Sequence, residues 1–414
     1  MEVMTKEEVV IVGGGVAGLA TALALKKVGV RALVLERSNE LRVTGAALTL
    51  LSNAWLALEA LGVGHKLTSI YAPFKGDEWL ATGPRSVHRR ALLEALAEEL
   101  PTDTIRFSSK LRSIETTTHE TASSGVILHL EDGTSIQTKV LIGCDGVHSV
   151  VARWLGLKDV VHSGRYAVRG LGVFPEGHGL KHEVQQFVDK GRRFGISPLT
   201  DKEVFWFMAY KTLPNKDDEM ATGDPKLIQK NVLESSTDFP PVFLDVVQHS
   251  DLSSLTWAPL MFRYPWDLIF GHLSKGTVTV AGDAMHPMTP DLAQGGCTAL
   301  EDAVVLGRRI GNSFIRNGKM MSQEDLEREI EMYVKERRWR SAGLITASYL
   351  SGWVQQGGGG GSSVVGWLMK FLRDSVFYKF INRIVGLVHY DCGKLPTVST
   401  VPSEFDHDAH NKSD

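Results

Sequence analysis

The sequence predicts an α/β protein with two joined domains, one built around a parallel sheet from discontinuous segments and the other a mainly antiparallel sheet, followed by C-terminal helices. Three observations predict this fold. The chain opens with a strand, a glycine turn, a helix and a second strand; buried-strand patterns return near residues 141–143 and 278–281; and β-rich segments separate them. The chain of 414 residues also exceeds the size at which one hydrophobic core usually stops growing.

The first predicted elements form a Rossmann-like βαβ unit. The hydrophobic pattern predicts a strand at Glu8–Val12, a helix at Val16–Val28 and a strand at Arg31–Leu35. Helices are expected next at Asn53–Leu61 and His88–Leu100, where apolar residues recur at helical spacing. The first domain therefore alternates strands and helices, as parallel sheets require.

The middle of the chain has a different pattern. Short strands are predicted at Glu183–Val188, Phe194–Ser197 and Val204–Ala209, within a stretch from about Arg165 to Pro265 that polar loops such as Asn215–Asp224 interrupt. A second, sheet-based domain follows from this pattern. In its strand at 204–209, period-two alternation places Phe205 and Phe207 on one face and Trp206 and Met208 on the other, and the sequence does not decide which face lines a pocket.

The last third returns to the first domain. A buried strand is predicted at Val278–Ala281, followed by long helices at Cys297–Arg316 and Gln323–Leu350. The predicted boundaries are 1–71, 84–160 and 266–350 for the first domain, 72–83 and 161–265 for the second, and 351–414 for a glycine-rich loop, a C-terminal helix and a polar tail.

The composition excludes several classes of function. With a net charge of -3 and a pI near 6.5, the protein has no overall positive electrostatic field to attract the phosphate backbone of a nucleic acid. Nucleic acid is therefore not an expected partner. Three scattered cysteines, Cys144, Cys297 and Cys392, form neither a disulfide framework nor a zinc-ligand spacing, and no metal site is predicted. Because no apolar run reaches the length of a signal or spanning segment, we expect a cytoplasmic protein; the oligomeric state stays open.

A glycine motif carries the first chemical signal. Gly13-x-Gly15-x-x-Gly18 follows the first strand and opens the first helix, the context in which such glycines bind a dinucleotide. Gly13 permits the tight turn, Gly15 lets the backbone approach a pyrophosphate, and Gly18 allows the helix to pack closely. Glu36 ends the second strand, where a carboxylate accepts hydrogen bonds from ribose hydroxyls. The alternative is a glycine turn without a ligand.

Two further turns favour a flavin dinucleotide. Gly282-Asp283 ends a buried strand, and Pro290 precedes a helix start at Gln294–Gly296. The Asp283 carboxylate could bind the hydroxyl groups of the ribityl chain. The backbone amides at the helix start could stabilise the negative charge of a reduced isoalloxazine. A capped helix after a buried strand is the competing interpretation. Asp145-Gly146 ends the third such strand, ahead of a polar turn.

These three motifs, in this order, resemble the para-hydroxybenzoate hydroxylase type of single-component (group A) FAD monooxygenases over nearly the whole chain. The last motif and Leu260–Trp266 look most like plant members grouped with salicylate hydroxylase and zeaxanthin epoxidase. The resemblance implies that NADPH or NADH, bound transiently, reduces FAD and that a C4a-hydroperoxyflavin hydroxylates or epoxidises an apolar small molecule, aromatic or isoprenoid-like, with dioxygen as co-substrate. The second domain is then expected to bind the substrate.

The resemblance also implies individual roles. Asp145 matches the aspartate that supports both FAD and nicotinamide use, and Asp283 matches the one that contacts the ribityl chain. Arg89 matches an arginine near the flavin phosphates, with a solvated helix residue as the alternative; Arg37 follows the ribose acid, and Leu111 lies where relatives contact adenine. No catalytic side chain is assigned. The predicted cofactor-binding residues are Gly13, Gly15, Val16, Ala17, Gly18, Glu36, Arg37, Arg89, Leu111, Asp145, Asp283, Pro290, Gln294, Gly295 and Gly296.

Several features depart from the pattern or have a simpler explanation. Ala293 stands where relatives have glycine, and a left-handed backbone there would cost about 1 kcal/mol or more. His286 is expected to be structural more often than catalytic, and Lys335–Arg340 is interpreted as a charged helix face. The amphipathic segment 367–385 is expected to pack on the enzyme, with a peripheral membrane contact as the alternative, and Gly357–Gly361 is assigned no function.

Three other functions remain open at this stage. A flavin reductase or dehydrogenase of the same fold would not use dioxygen, and a noncatalytic flavin-binding protein would keep only the fold. A flavin halogenase is disfavoured because the sequence has no Trp-x-Trp-x-x-Pro segment.

Overall fold

The computed structural model describes residues 4–41, 46–75, 82–117, 125–189, 191–213, 216–318, 320, 322–355 and 389–397. Their strands are β1 (Met4–Val12), β2 (Leu33–Leu35), β3 (Ala47–Leu50), β4 (Arg85–His88), β5 (Ile105–Arg106), β6 (Leu111–Thr117), β7 (Gly125–Leu130), β8 (Ser135–Gly143), β9 (Val161–Val173), β10 (Gln185–Asp189), β11 (Arg192–Pro198), β12 (Glu203–Lys211), β13 (Thr256–Phe262), β14 (Ser274–Lys275) and β15 (Val278–Val280). Their α-helices are α1 (Val16–Lys27), α2 (Ser52–Ala60), α3 (Gly64–Thr68), α4 (Arg89–Ala97), α5 (Val150–Trp154), α6 (Lys216–Ala221), α7 (Pro225–Glu234), α8 (Pro241–Gln248), α9 (Pro265–Phe270), α10 (Gln294–Arg316) and α11 (Gln323–Gln355).

The larger sheet brings together strands that are far apart in the chain. Its order is β14-β15-β8-β1-β2-β5, and the hairpin β6-β7 joins it through β8. The central pairs are parallel, with Val12 opposite Gly143 and Gly143 opposite Val280. Because these residues end three parallel strands, the turns that follow them meet at the carboxyl edge of the sheet, where ligands bind in open α/β sheets.

The smaller sheet is antiparallel, with the order β10-β11-β12-β9-β13. One face buries Phe194, Trp206 and Met208 against apolar side chains of α7 and α8, including Phe243 and Val246. The opposite face carries Phe205 and Phe207, which cluster with Ala47 of the small β3-β4 sheet. The face of Phe205 and Phe207 is therefore the one that meets the first domain, and the face of Trp206 and Met208 is the one that packs on helices.

The interpretation of residues 165–265 as strands and polar loops is wrong in part, because α6, α7 and α8 lie in this stretch. The start signals of α7 were present in the sequence. Asp224 accepts a hydrogen bond from the Lys226 backbone N–H at 2.9 Å, and Pro225 occupies the first helical turn.

The end of the chain falls largely outside the described residues, including the predicted amphipathic segment 367–385 and the glycine run Gly357–Gly361. Among the helices that are described, none combines the length and the apolar character needed to cross a bilayer.

Candidate active site

The glycine turn after β1 leaves an open space at the start of α1. Gly13 has a φ of +107°, and a side chain there would overlap the Cys144 carbonyl group. A side chain on Gly18 would overlap the Gly13 carbonyl oxygen, so both glycines are required by packing. A Cβ atom on Gly15 would meet no atom within 4 Å. This empty cradle beside a helix N-terminus fits a pyrophosphate.

Glu36 is held beside the same turn. Its Oε2 atom accepts a hydrogen bond from the Gly14 backbone N–H at 2.7 Å, and its Oε1 atom accepts one from Ser38 at 2.8 Å. The Glu36 backbone carbonyl accepts a hydrogen bond from Ser109, two residues before Leu111 at the start of β6. The structure therefore brings Glu36 and Leu111 to one side of the turn, whereas the Arg37 side chain is exposed.

Asp145 caps a helix with its carboxylate. The Ser149 hydroxyl donates to Oδ1 at 2.5 Å and the Val150 backbone N–H donates to Oδ2 at 2.6 Å, at the beginning of α5. Burial raises the pKa of the Asp145 carboxyl, and these hydrogen bonds partly oppose that shift. The Asp145 side chain thus has a structural role in the turn, next to the Gly13 turn across the β1-β8 pair.

The third turn faces the first. Gly282 has a φ of +59°, and a Cβ atom there would lie 2.7 Å from Ala17 Cβ in α1. The next residue, Asp283, is exposed, and its Oδ1 atom lies 3.9 Å from the position of a Cβ atom on Gly295. Asp283, Gly295 and the start of α1 therefore border one cleft.

Ala293 adopts the conformation for which glycine is usual. Its φ is 54° and its ψ is 26°, in the left-handed region, at the junction between the 3-10 turn Pro290–Leu292 and α10. The sequence raised this possibility, and the structure confirms that position 293 requires a positive φ. The loop therefore keeps its turn at the energetic cost of a left-handed alanine.

The Gln294 side chain points away from the cleft. It is buried, and its Oε1 atom accepts a hydrogen bond from Asn53 Nδ2 at 2.9 Å. Asn53 Nδ2 also donates to Glu301 Oε1 at 2.5 Å. Only the backbone of Gln294 remains available to a ligand, at the first residue of α10.

A buried ionic network supports this loop from behind. Arg337 of α11 donates to Asp302 Oδ1 at 2.7 Å and to Glu301 Oε2 at 2.6 Å, and all three side chains are sealed from solvent. Asp302 also accepts the Gly282 backbone N–H at 2.8 Å and contacts His286 Nε2 at 2.6 Å. The interpretation of Lys335–Arg340 as a charged helix face is wrong at Arg337, because two carboxylates from α10 draw that guanidinium into the core.

Electrostatics inside the network favour the charged forms. Burial alone would raise the carboxyl pKa of Asp302, but His286 and Arg337 outweigh it and lower that pKa to about 2. Arg337 and Arg340 likewise lower the pKa of Glu301 despite its burial. His286 is fully buried and contacts Asp302, which supports its structural interpretation.

Ion pairs also connect the loop before α10, which contains Asp291, to the smaller sheet. Asp291 accepts two hydrogen bonds from Arg165 of β9, at 3.0 and 2.7 Å, and one from Arg193 of β11 at 3.0 Å. All three residues are buried. A Cβ atom on Gly352 of α11 would overlap the Arg165 guanidinium, so a glycine there leaves room for the pair. These residues were missed in the sequence because the pairs span 98 and 126 positions.

Comparison with known proteins agrees with this geometry. Residues 6–87 and 83–347 match the family model described as "FAD binding domain". Monooxygenase 2 and Monooxygenase 1 of Arabidopsis thaliana are 40% and 38% identical to this chain, over 95% and 94% of it and 100% and 99% of their own lengths. FAD-dependent urate hydroxylase of Mycolicibacterium vanbaalenii is 26% identical, over 72% of this chain and 78% of its own.

Solved structures share the fold. Klebsiella pneumoniae HpxO, complexed with FAD and uric acid, superposes with a TM-score of 0.74 at 22% identity, covering 92% of this chain and 96% of its own. A salicylate hydroxylase substrate complex gives a TM-score of 0.68 at 20% identity, covering 95% and 100%. With the family match and the two Arabidopsis relatives, the chain belongs to the FAD-binding-domain family and is an FAD-dependent monooxygenase of the para-hydroxybenzoate hydroxylase type.

Proposed function

We propose that this enzyme is a single-component monooxygenase that takes its electrons from NADPH or NADH and places one oxygen atom of dioxygen on an apolar small molecule, aromatic or isoprenoid-like. The observation that carries the proposal is the meeting of three turns, at Gly13–Gly18, Asp145 and Gly282–Asp283, at the carboxyl edge of the larger sheet. We further propose that residues 72–83 and 161–265 form the substrate-binding domain.

The residues of the cleft suit FAD. The space at Gly15 would take the pyrophosphate, and Glu36 would accept hydrogen bonds from the adenosine ribose. Asp283 would contact the ribityl chain, and the backbone at Gln294–Gly296 would face the isoalloxazine at a helix N-terminus. Bound FAD would supply the electron transfer and the activation of dioxygen.

The protein's own contribution is to position the reactants and exclude water. Phe205 and Phe207 offer an apolar wall, and the Asp291 ion pairs hold the loop before α10 against β9 and β11. The described residues contain one strand, glycine turn and helix with a dinucleotide fingerprint. We therefore propose that the nicotinamide visits the same cleft transiently, near the turn of Asp145.

A substrate screen tests this function. Purified enzyme is mixed with NADPH or NADH in air, and candidate aromatic and isoprenoid compounds are scored for faster nicotinamide oxidation together with an oxygenated product. The same mixtures are then run without dioxygen. We expect product only in air. Multiple turnovers without dioxygen would instead identify a reductase or dehydrogenase, and yellow protein that oxidises no nicotinamide and forms no product would identify a noncatalytic flavin-binding protein.

A further inference from the structure

A short strap lies across α10 and α11. Its residues, 389–397, form neither a helix nor a strand. Cys392 is 1% exposed, and Leu395 Cδ2 lies 3.1 Å from the position of a Cβ atom on Gly307 of α10. The strap is therefore packed on the core of the first domain, with Tyr390 on α11 and Leu395 on α10.

Tyr390 of the strap covers two cations of α11. The Arg340 guanidinium carbon lies 4.2 Å from the centre of the tyrosine ring, and the Arg337 guanidinium carbon lies 5.3 Å from it. The Tyr390 hydroxyl donates a hydrogen bond to Glu336 Oε1 at 3.0 Å. Burial raises the pKa of Tyr390 to about 12, so the hydroxyl keeps its proton at physiological pH. The hydrogen bond fixes the ring, and the ring holds the Arg340 guanidinium by a cation–π contact.

Arg340 begins a series of buried contacts that reaches the start of α10. It donates to both carboxylate oxygens of Glu301, at 2.7 and 2.5 Å. Glu301 Oε1 also accepts from Asn53 Nδ2, which donates to Gln294 Oε1 at 2.9 Å as well. The Arg340 side chain is 9% exposed, and the other three side chains are buried. Because buried polar groups need their hydrogen-bond partners, the position of Arg340 constrains Gln294, the first residue of α10.

The tyrosine ring is not needed to neutralise the network. Glu301 Oε2 also accepts from Arg337 at 2.6 Å, so this carboxylate keeps a cation when Arg340 moves. Loss of the Tyr390 ring therefore changes how Glu301 is held and leaves no buried charge unpaired. A variant without the ring should fold, and its effect should appear at the start of α10.

We propose that Tyr390 is a positioning residue for FAD. By keeping Arg340 on Glu301, it fixes the series of contacts that ends at Gln294 and thereby the backbone at the start of α10. This inference rests on the placement of the isoalloxazine at that helix start, which is part of the proposed function. A helix N-terminus stabilises a negative charge more than a neutral group, so this backbone favours the reduced, anionic flavin over the oxidised form. Tyr390 therefore acts on the redox balance of bound FAD through these buried contacts.

The test measures FAD affinity, apoprotein stability and the midpoint potential of bound FAD in variants of the full chain. Tyr390→Leu should weaken the binding of reduced FAD about tenfold more than that of oxidised FAD, which lowers the midpoint potential by about 30 mV. Tyr390→Phe keeps the ring over Arg340 and should lower the potential by less than half that amount. Arg340→Gln should give the same shift as Tyr390→Leu, and the double variant should show no further shift, because both act through one contact.

Two further variants separate positioning from general loosening of the strap and from the placement of FAD. Leu395→Ala loosens the strap at its α10 end and should lower apoprotein stability without changing the potential. Gly295→Val adds a side chain at the helix start, where a Cβ atom would lie 3.9 Å from Asp283 Oδ1, and should weaken FAD binding. A wild-type potential in Tyr390→Leu, or an equal shift in Leu395→Ala, would overturn the inference alone. Unchanged FAD binding in Gly295→Val would contradict the placement of FAD, on which the proposed function also rests.

Discussion

Substituting Gly15 separates cofactor binding from folding. A Cβ atom at this position meets no protein atom within 4 Å, and the backbone, with φ -86° and ψ -169°, is extended and allowed for any L residue. Gly15→Val should therefore fold normally without a ligand. In the holoenzyme its side chain would occupy the space we assign to the pyrophosphate, and FAD affinity should fall.

The magnitude follows from the contacts that would be lost. A charge-assisted hydrogen bond between a backbone N–H and a phosphate is worth about 1.5–3 kcal/mol, so losing one weakens FAD binding roughly tenfold to a hundredfold. The assay is fluorescence titration of apoprotein with FAD, with circular dichroism and thermal unfolding on the same sample.

Gly18→Ala serves as the matched control. Its methyl group would overlap the Gly13 carbonyl oxygen, so this variant should lose stability even as apoprotein, by about 1–3 kcal/mol. Full FAD affinity in Gly15→Val, or a loss of apoprotein stability equal to that of Gly18→Ala, would refute the assignment of the cradle.

Four further predictions concern the loop and the buried charges. Ala293→Gly should raise the free energy of unfolding by about 1 kcal/mol in urea, since it removes a left-handed alanine; a lower value would contradict the strain. Arg337→Met should cost about 3–5 kcal/mol in the same assay because two sealed carboxylates lose a partner, and a neutral effect would disprove the network's role. Asp302 has a folded-state pKa of about 2, against 3.8 ordinarily. Its contribution to the free energy of unfolding, about 2 kcal/mol, is therefore present above pH 4 and disappears as the pH falls toward 2. Acid unfolding of the wild type that shows no such loss of stability in this window would argue against the prediction. Asp145→Asn should slow anaerobic flavin reduction by NADPH or NADH about a hundredfold in fully FAD-loaded enzyme, whereas an unchanged rate would leave Asp145 only its helix cap.

The first domain could be predicted where the information is local. Strand, glycine turn and helix follow one another around Gly13 and Gly18, so the pattern alone indicates the fold and the ligand edge. The positive φ at Ala293 was predictable too, because the residue stands in a motif that calls for glycine.

The rest depends on contacts between distant residues. Arg337 is in a run of charged residues, and only packing of α11 on α10 brings it to Glu301 and Asp302. In the same way, Asp291 pairs with Arg165, which belongs to the other sheet. The orientation of β12 also depends on tertiary contacts, because both of its faces are apolar and the alternation alone does not decide what each face packs against. Hydrophobic periodicity identifies faces, but the tertiary partner decides what each face contacts.

Isotopic labelling tests the central claim most directly. The enzyme is supplied with NADPH or NADH, a substrate found in the screen, and ¹⁸O₂, and the product is analysed by mass spectrometry. A monooxygenase built as we describe places one ¹⁸O atom in each product molecule and consumes one nicotinamide per product. Product that carries no ¹⁸O would contradict the account.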